Sequence, residues 1–501
     1  MIYRKSQKTL FEDSSRLIPG CCEQNDAMNL SLLAVILPFL GKVDLSGYLL
    51  IVFIICLVAV ICFEFVNGFH DTANAVATVI YTKALPPIYA IPWSGLWNFL
   101  GVFLGGITVA MGILKLIPLD SLMTLPVSVG ACLVLALLLS SIIWNLGTWY
   151  LGIPCSSSHT MIGSMIGAGL AFTLYYSGPG VNWSKAGEIG SSLILSPIIG
   201  FGLAALLMLF LKHVTKSHTL FHIPHGANDR PPIHIRLMLI TTCTLVSFFH
   251  GSNDGQKGVG LFMLILIAFL PARFAVNHAV SDATVLAALK RTEQVVGKQL
   301  SADATKKPVL AELAAAVQQT RASLAEKNDK EVAKTYRYRK QTEGLIKDIR
   351  GLVDDTRVHL TISEKDKLKQ AADELEKVTD FAPVWVIAMI SLSLGLGTMI
   401  GWKRIVVTIG EKIGNEHLNY AQGASSEIVA AATIGLSTGF GLPVSTTHVL
   451  SSGIAGAMVA SGGKRNLNNR TLKNIVLAWV LTLPVAIILA FLLFMFFHLF
   501  L

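Results

Sequence analysis

Two copies of one short segment decide the fold of this chain. Gly152-Ile-Pro-Cys-Ser-Ser-Ser-His159 recurs 289 residues later as Gly441-Leu-Pro-Val-Ser-Thr-Thr-His448. The match continues without gaps to Gly167 in the first copy and to Gly456 in the second. Self-similarity of this kind indicates that one structural unit has been duplicated. The chain is therefore predicted to consist of two related halves.

A second pair of motifs lies upstream of these segments. Asn67-Gly-Phe-His-Asp-Thr-Ala-Asn74 parallels His250-Gly-Ser-Asn-Asp-Gly-Gln-Lys257, with Asp71 aligned on Asp254 at an offset of 183 residues. The two offsets differ by 106 residues, and a charged segment of 105 residues, 276–380, lies between the motifs of the second half. Insertion of that segment into one copy accounts for the difference.

The charged residues are concentrated in this insert. Only 14% of the 501 residues are charged, whereas soluble domains usually carry roughly 25%. The insert holds 19 basic and 17 acidic residues, about half of all 71. Crossing a bilayer takes about 20 apolar residues as helix, and seven stretches of the remaining chain are candidates. They are residues 45–65, 93–114, 127–146, 192–211, 237–270, 382–402 and 475–497.

The composition excludes several classes of protein. The net charge of +9 comes from the insert and short loops without an aromatic-interleaved basic patch, so no nucleic acid is expected as a partner. The seven cysteines are scattered and mostly lie in apolar stretches, which predicts neither a disulfide framework nor a zinc site. Apolar residues at helical spacing between 310 and 375 predict a solvated helical cap. The insert contains no catalytic constellation, and the chain is not expected to be an enzyme.

Positive loops set the predicted topology of the all-α integral membrane fold. The loops 212–236 and 402–424 carry four and three Lys or Arg residues, and such loops favour the cytoplasm. The insert then lies in the periplasm and its short counterpart, 82–92, lies inside, which makes the two halves an inverted repeat. The predicted parts are an N-terminal extension 1–44, membrane repeat one 45–211, a cytoplasmic inter-repeat loop 212–236, the start of repeat two 237–275, the periplasmic insert 276–380 and the rest of repeat two 381–501.

The first residues have two readings. Residues 1–27 are polar and basic, and a short apolar run, 30–40, follows them. One reading is a secretory signal peptide, although no small-residue cleavage site is evident. The preferred reading is a dispensable extension ahead of a true start near Met28.

Ionisable residues at membrane depth indicate the candidate site. They cost about 2.5–3.5 kcal/mol on insertion scales and are usually functional. Glu64, His70 and Asp71 follow an apolar span directly, and Asp254 and Lys257 lie between two apolar stretches. Nearby glycines would let both helices break and line a cavity with backbone groups. The alternative is that these residues lie at span ends in headgroup water.

Hydroxyl clusters supply the other half of the site. Pro154 and Pro443 each precede such a cluster and a Gly-rich apolar stretch. Proline and hydroxyl residues favour a helix N-terminus, whose free N–H groups and partial positive charge bind phosphate. The alternative, that the glycines only let helices pack closely, is compatible with binding. The predicted ligands of a tetrahedral oxyanion are Ser156, Ser157, Ser158, Ser445, Thr446 and Thr447.

Four further residues are candidates for the same site. His159 and His448 follow the hydroxyl clusters, where they either contact substrate and relay protons or only satisfy neighbouring polar groups. Glu64 and Glu427 are candidate protonatable groups.

These paired motifs resemble those of the PiT inorganic phosphate transporters and are most similar to the bacterial low-affinity Pit carriers. The resemblance rests on GFHDTANAVATVIYT, HGSNDGQKG, IIWNLGTWY, GTMIGW and GLPVSTTH, and it covers nearly all of residues 30–501. It implies a multi-pass protein of the bacterial inner membrane with an inverted repeat and two re-entrant hairpins. It also implies that the hairpin hydroxyls hold phosphate beside Asp71 and Asp254. Phosphate would enter with a divalent cation as a neutral complex, in symport with protons.

One difference from the motif of sodium-coupled relatives indicates the coupling ion. Sodium-coupled relatives carry Asn-Asp-x-x-Asn in both copies, and amide oxygens suit a hard cation. Here Lys257 replaces the last Asn of the second copy, and an ammonium repels sodium. His70 adds an imidazole with an ordinary pKa of about 6.5, so protons are favoured. Asp71 and Asp254 would hold the metal or the proton. The residues assigned to the coupling ion or proton are His70, Asp71, Asn74, Asn253, Asp254 and Lys257.

Energetics support a neutral cargo. Each negative charge that moves inward against an inside-negative potential costs about 2.3 kcal/mol per 100 mV. A divalent metal such as Mg²⁺, carried with phosphate rather than held as a cofactor, would cancel both charges of the dianion. The expected partners are thus phosphate, protons, a divalent cation and the bilayer, with a homodimer as one option. Open alternatives are a permease for another oxyanion such as sulfate, sodium-coupled phosphate symport, and a phosphate-sensing receptor.

Overall fold

The computed structural model consists mainly of helices in the residues that it describes. These are residues 40, 45, 47–117, 119, 122, 125–176, 180–215, 217–224, 229–302, 307–327, 331–356 and 358–500. They contain no strand beyond one isolated bridge, between Gly414 and Leu467. Contacts divide the chain into two units, Met1–Ile54 and Ile55–Leu501. The predicted extension 1–44 lies outside the described residues except for Leu40.

The described residues of the first half form seven helices. They are α1 (Gly47–Asp71), α2 (Ala73–Tyr81), α3 (Pro87–Leu104), α4 (Thr108–Leu114), α5 (Val127–Tyr150), α6 (Ser157–Tyr175) and α7 (Trp183–Val214).

The second half repeats this order around the insert. Its helices are α8 (Ile233–His250), a π-helical turn (Gly251–Gly255), α9 (Gln256–Phe269), α10 (Pro271–Phe274), the insert helices α11 (Asp282–Ala302), α12 (Lys307–Glu326), α13 (Val332–Asp354) and α14 (Ile362–Thr379), then α15 (Val384–Thr398), α16 (Lys403–Val407), α17 (Tyr420–Gly439), α18 (Thr446–Gly462) and α19 (Asn469–His498).

Several of these helices are long and apolar enough to cross a membrane. Five segments qualify by length and composition, and seven do if each of two bent pairs counts as one span. The predicted span 93–114 is one such pair, since α3 and α4 meet at 70° around Gly105 and Gly106. The five continuous segments are Gly47–Tyr81, Val127–Tyr150, Trp183–Val214, Ile233–Phe269 and Asn469–His498.

The helix breaks predicted at the two aspartates are mild. Only Thr72 separates α1 from α2, and its hydroxyl donates to the carbonyl oxygens of Gly68 at 2.7 Å and Thr398 at 2.9 Å. In the second copy the chain keeps helical dihedrals and widens into the π-helical turn Gly251–Gly255. Such turns are frequent at functional sites. Both motifs therefore shift the side-chain register without unwinding the helix.

Glycines bring helices of opposite halves into contact. Gly163 and Gly167 of α6 lie against Leu483 and Ile487 of α19, so these two helices run parallel. In the same way Gly456 of α18 lies against Phe201 of α7. The absence of a Cβ lets the backbones approach closely.

The two ends of α7 have different neighbours. Gly180 and Val181, just ahead of α7, contact Thr173 and Gly169 in the last turns of α6. At the other end of α7, Lys212 Nζ donates to the carbonyl oxygen of Ser461 at 3.0 Å, beside the end of α18. Helices α6 and α18 thus end beside opposite ends of α7.

The insert forms a bundle of four helices with its own apolar core. Leucines at helical spacing fill that core, among them Leu289, Leu310, Leu345, Leu368 and Leu375. This agrees with the predicted helical cap.

A buried arginine forms hydrogen bonds with both segments that connect the insert to the membrane helices. Arg339 of α13 is 4% exposed and donates to the carbonyl oxygens of Ala275 at 2.5 Å and Thr379 at 3.0 Å. Asn277 N also donates to Val378 O at 2.8 Å. The chain therefore enters and leaves the insert side by side.

Candidate functional site

The hydroxyl clusters begin helices, as predicted. Ser156 caps α6 by accepting a hydrogen bond from His159 N at 3.2 Å, and Ser445 caps α18 through His448 N at the same distance. Each cap satisfies one of the free N–H groups of a first helical turn. The two N-termini lie side by side, because Ser158 Oγ donates to the carbonyl oxygen of Val444 at 2.8 Å. Two positive helix ends therefore converge.

Asp71 joins both of these helix starts. Its Oδ1 accepts a hydrogen bond from Thr447 of α18 at 2.6 Å, and its Oδ2 accepts one from Ser157 of α6 at 3.0 Å. Asn74, one turn further along, donates to Asp71 Oδ1 at 3.1 Å and to Thr447 at 2.9 Å. All four residues are at most 3% exposed. The first aspartate thus contacts hydroxyls from both hydroxyl clusters.

Asp254 lies beside the same helix starts and pairs with Lys257. The Lys257 ammonium is 2.6 Å from Asp254 Oδ1 and also donates to Ser158. Thr446 donates to Asp254 Oδ2 at 3.4 Å. The ammonium thus neutralises one of the two carboxylates and reaches the hydroxyl cluster of the other half.

Asn253, predicted to serve the coupling ion, bonds the segment that leads into the second hydroxyl cluster. Its side-chain amide donates to Thr438 at 3.0 Å and to Leu442 O at 3.2 Å, and its Oδ1 accepts from Val444 N at 3.2 Å. These three bonds hold the turn that precedes Ser445.

His250 belongs to this group, although sequence reasoning did not assign it a role. Its Nε2 lies 3.5 Å from Asp254 Oδ2 and 3.9 Å from Asp71 Oδ2. Its Nδ1 donates to Asn98 Oδ1 at 2.7 Å, which aims Nε2 at the two carboxylates. Alignment of the copies places His250 on Asn67, so a polar residue at both positions was the available signal.

Asp71, His250 and Asp254 bring three possible metal-ligand atoms close together. One ligand atom from each lies within 4.8 Å of the other two, and all three residues are buried. Among the described residues, His250 Nε2 makes no hydrogen bond. A divalent cation can be coordinated by carboxylate oxygens together with an imidazole nitrogen.

His70 approaches Asp71 at Oδ1, whereas His250 approaches it at Oδ2. Its Nδ1 is 3.4 Å from Asp71 Oδ1, and its Nε2 is 3.2 Å from the hydroxyl oxygen of Thr148. Asp71 therefore has an imidazole on each side.

The two histidines that follow the hydroxyl clusters face each other. The ring centres of His159 and His448 are 4.5 Å apart, and His448 stacks on Trp479 at 3.9 Å. Among the described residues, His159 Nδ1 and His448 Nε2 have no hydrogen-bond partner. The contact between these rings brings the first turns of α6 and α18 together.

The two predicted glutamates are buried but separate from each other. Glu427 of α17 accepts hydrogen bonds from the hydroxyls of Thr78 and Thr242. Glu64 accepts one from Asn67 at 3.2 Å, and its side chain borders Gly258, next to Lys257. Neither carboxylate bonds a hydroxyl of the two clusters.

Comparison with known proteins assigns the chain to a family. It matches the phosphate transporter family over residues 67–490. It is 38% identical to the low-affinity inorganic phosphate transporter PitA of Escherichia coli K12 over 489 residues, which cover 89% of this chain and 96% of that protein. It is 39% identical to the low-affinity inorganic phosphate transporter of Buchnera aphidicola subsp. Schizaphis graminum over 493 residues, with the same coverage.

A solved structure shares the fold. The chain is similar to a protein described as the sodium-dependent phosphate transporter, with a TM-score of 0.52 and 20% identity over 90% of this chain and all of the other. The predicted resemblance and the predicted inner-membrane location are confirmed. The chain belongs to the phosphate transporter family and is a bacterial inner-membrane transporter of inorganic phosphate rather than an enzyme.

Proposed function

We propose that the chain takes up phosphate as a neutral complex with a divalent metal, in symport with protons, by alternating access. One observation carries the proposal: the Asp71 carboxylate bonds hydroxyls of both hairpin motifs and lies next to His250 and Asp254. An anion site and a cation site therefore share one buried carboxylate.

The anion would bind where α6 and α18 begin. Ser157 and Thr447, which now donate to Asp71, would turn to phosphate oxygens, and the Lys257 ammonium beside Ser158 would add charge. Hydroxyls, an ammonium and two helix N-termini are the donors that a tetrahedral oxyanion requires.

The metal would bind between Asp71, His250 and Asp254. With neutral histidines, Asp71, Asp254 and Lys257 carry one net negative charge. A buried uncompensated charge is costly, and a divalent cation changes its sign. A phosphate dianion then restores the original net charge, so metal and anion favour each other's binding. The metal and the phosphate together would therefore carry no net charge across the membrane.

Protons are the proposed coupling ions. Lys257 occupies the position at which sodium-coupled relatives carry an asparagine, and its ammonium lies 2.6 Å from Asp254. The positive charge of this ammonium would repel a sodium ion at the same place. Imidazoles on both sides of Asp71 instead offer groups that can take up a proton.

The packing of α7 supports an inverted repeat and the predicted sidedness. Its 32 residues span about 48 Å at 1.5 Å per residue, which exceeds the roughly 30 Å of hydrocarbon. Because α6 and α18 end beside opposite ends of α7, they would lead from the shared site to opposite faces. Asn182, at the start of α7, bonds the backbone of Lys115, whose side chain pairs with Asp380 of the insert. The insert and the loop 212–236 therefore fit opposite sides.

Uptake into proteoliposomes tests the proposal. Labelled phosphate should accumulate with a pH gradient, should require Mg²⁺ or another divalent cation, and should not respond to a sodium gradient. Excess sulfate should compete poorly. Accumulation driven by sodium alone, or independent of divalent cations, would overturn the coupling.

A further inference from the structure

Two cavities of similar size adjoin the turns that lead into the hydroxyl clusters. One, of about 550 Å³, is lined by Gly152 together with Lys403, Arg404 and Lys412. The other, of about 540 Å³, is lined by Gly441 together with residues of the insert. Gly152 and Gly441 occupy the same place in the two copies, with φ values of 67° and 69°. The repeat thus places one cavity beside each hairpin turn.

Each cavity lies close to the candidate site along the chain. Ser445 lies four positions after Gly441, and Ser156 lies four positions after Gly152. Four residues reach at most about 14 Å when fully extended. A ligand in either cavity is therefore one short segment away from a helix N-terminus.

The insert supplies charged walls to the second cavity. Arg350, Asp373, Glu376, Lys377 and Asp380 line it from the insert, and Lys115 and Lys185 line it from the membrane helices.

Three acidic side chains of this cavity are already paired. Asp380 is 2.9 Å from Lys115, and Arg350 lies 2.6 Å from Glu376 and 3.5 Å from Asp373. In the described part of the chain, Lys377 of α14 has no acidic partner. Its positive charge remains uncompensated at the mouth of a cleft, where low-dielectric walls focus the field.

We propose that these cavities are the two vestibules of the transport path and that the insert forms an anion-loading site in one of them, with Lys377 as its recruiting charge. The ligand class is an inorganic oxyanion, here phosphate, alone or with its metal. The inference rests on the proposed function and assigns the insert a role in substrate capture. Basic residues line both vestibules, as expected for an anion that enters by one and leaves by the other.

Charge reversal at Lys377 tests the loading site. In right-side-out membrane vesicles at low ionic strength, Lys377→Glu should raise KM for phosphate about three- to tenfold and leave kcat unchanged. Added salt should shrink the difference, because screening weakens interactions of exposed charges. Lys377→Arg should keep the wild-type KM, and inside-out vesicles should show no KM shift.

A matched control separates the loading site from a general charge effect. Lys367→Glu makes the same charge change on α14, about 15 Å from Lys377 along the helix axis and nearer the N-terminus of the helix. An unchanged KM in Lys377→Glu, or an equal shift in Lys367→Glu, would overturn the loading site. Failure of the proposed function would instead appear in the unmodified protein, as uptake that needs no divalent cation or pH gradient.

Discussion

Asp71 is the residue on which the site converges. Its two carboxylate oxygens accept hydrogen bonds from Thr447 and Ser157, and imidazoles lie on both sides. Asparagine has nearly the same shape and can still accept one of these bonds, but it binds neither a proton nor a metal strongly. The charge of this side chain, rather than its volume, is therefore the property to test.

We expect Asp71→Asn to lower phosphate uptake at least 100-fold while the protein still inserts and melts normally. The reason is that the shared carboxylate loses its charge. Uptake and phosphate counterflow in proteoliposomes check this, with Glu312→Gln, an exposed acid of α12, as control. Normal counterflow in Asp71→Asn would remove Asp71 from the mechanism.

Lys257 should determine the choice of coupling ion. Lys257→Asn restores Asn-Asp-x-x-Asn in the second copy and removes the ammonium beside Asp254. We expect sodium to stimulate uptake and the response to a pH gradient to weaken. Breaking a buried pair can cost about 3–5 kcal/mol, so a melting curve must show that the variant is folded. A folded variant that ignores sodium would contradict this role.

At the scale of helices, close contacts across the two halves hold α6 and α18 in place. A Cβ on Gly167 would overlap the carbonyl oxygen of Ile487, and one on Gly456 would overlap that of Phe201. These glycines are needed because backbone cannot move aside as a flexible side chain can. The helix pairs α6–α19 and α18–α7 should therefore tolerate no larger residue there.

We expect Gly167→Ala and Gly456→Ala each to destabilise the protein by about 1–3 kcal/mol through overpacking. Thermal melting in detergent measures this as a lower Tm. Gly202→Ala on α7 is the matched control, since nothing lies within 4 Å of its added Cβ. Equal Tm values for all three variants would contradict the close-packing argument.

The insert helix α14 depends on a charged cap. Thr361 and Glu364 form a capping box, and Lys298 lies 2.7 Å from the Glu364 carboxylate. The Lys298 ammonium and the Thr361 backbone amide lower the pKa of Glu364 to about 2. Because the ordinary value is about 4.3, the folded state favours the ionised form.

This stabilisation should be complete above about pH 4.3 and should fade as the pH falls towards 2. Lys298 is 69% exposed, so the effect should be about 1 kcal/mol or less. Hydrogen exchange of α14 in the intact protein, corrected for intrinsic rates, should show faster opening at pH 3 than at pH 5. Glu364→Gln should open faster at pH 5 and respond less to pH, and an unchanged response would contradict the role of Glu364.

For the whole molecule, the repeat predicted more than composition did. It paired Asp71 with Asp254 and both hydroxyl clusters before any contact was known, and the structure brings all of these together. Periodicity alone could not find His250, because one histidine beside a glycine leaves no pattern. The glycines near the aspartates predicted larger helix breaks than the structure contains. At the first break, the Thr72 hydroxyl donates hydrogen bonds to backbone carbonyls. Arg339 was equally hidden, because its partners are backbone carbonyls 64 and 40 residues away.

Because Asn277 and Val378 are joined by a backbone hydrogen bond, the insert begins and ends at nearly the same place and could be removed as a unit. Because the chain leaves and returns at nearly one point, a linker of a few residues should reconnect α10 to α15 with little strain. Evolution could add or exchange such a domain in one step without redesigning the lipid-embedded scaffold. The same junction offers an experimenter a place to graft a fluorescent reporter in place of the insert.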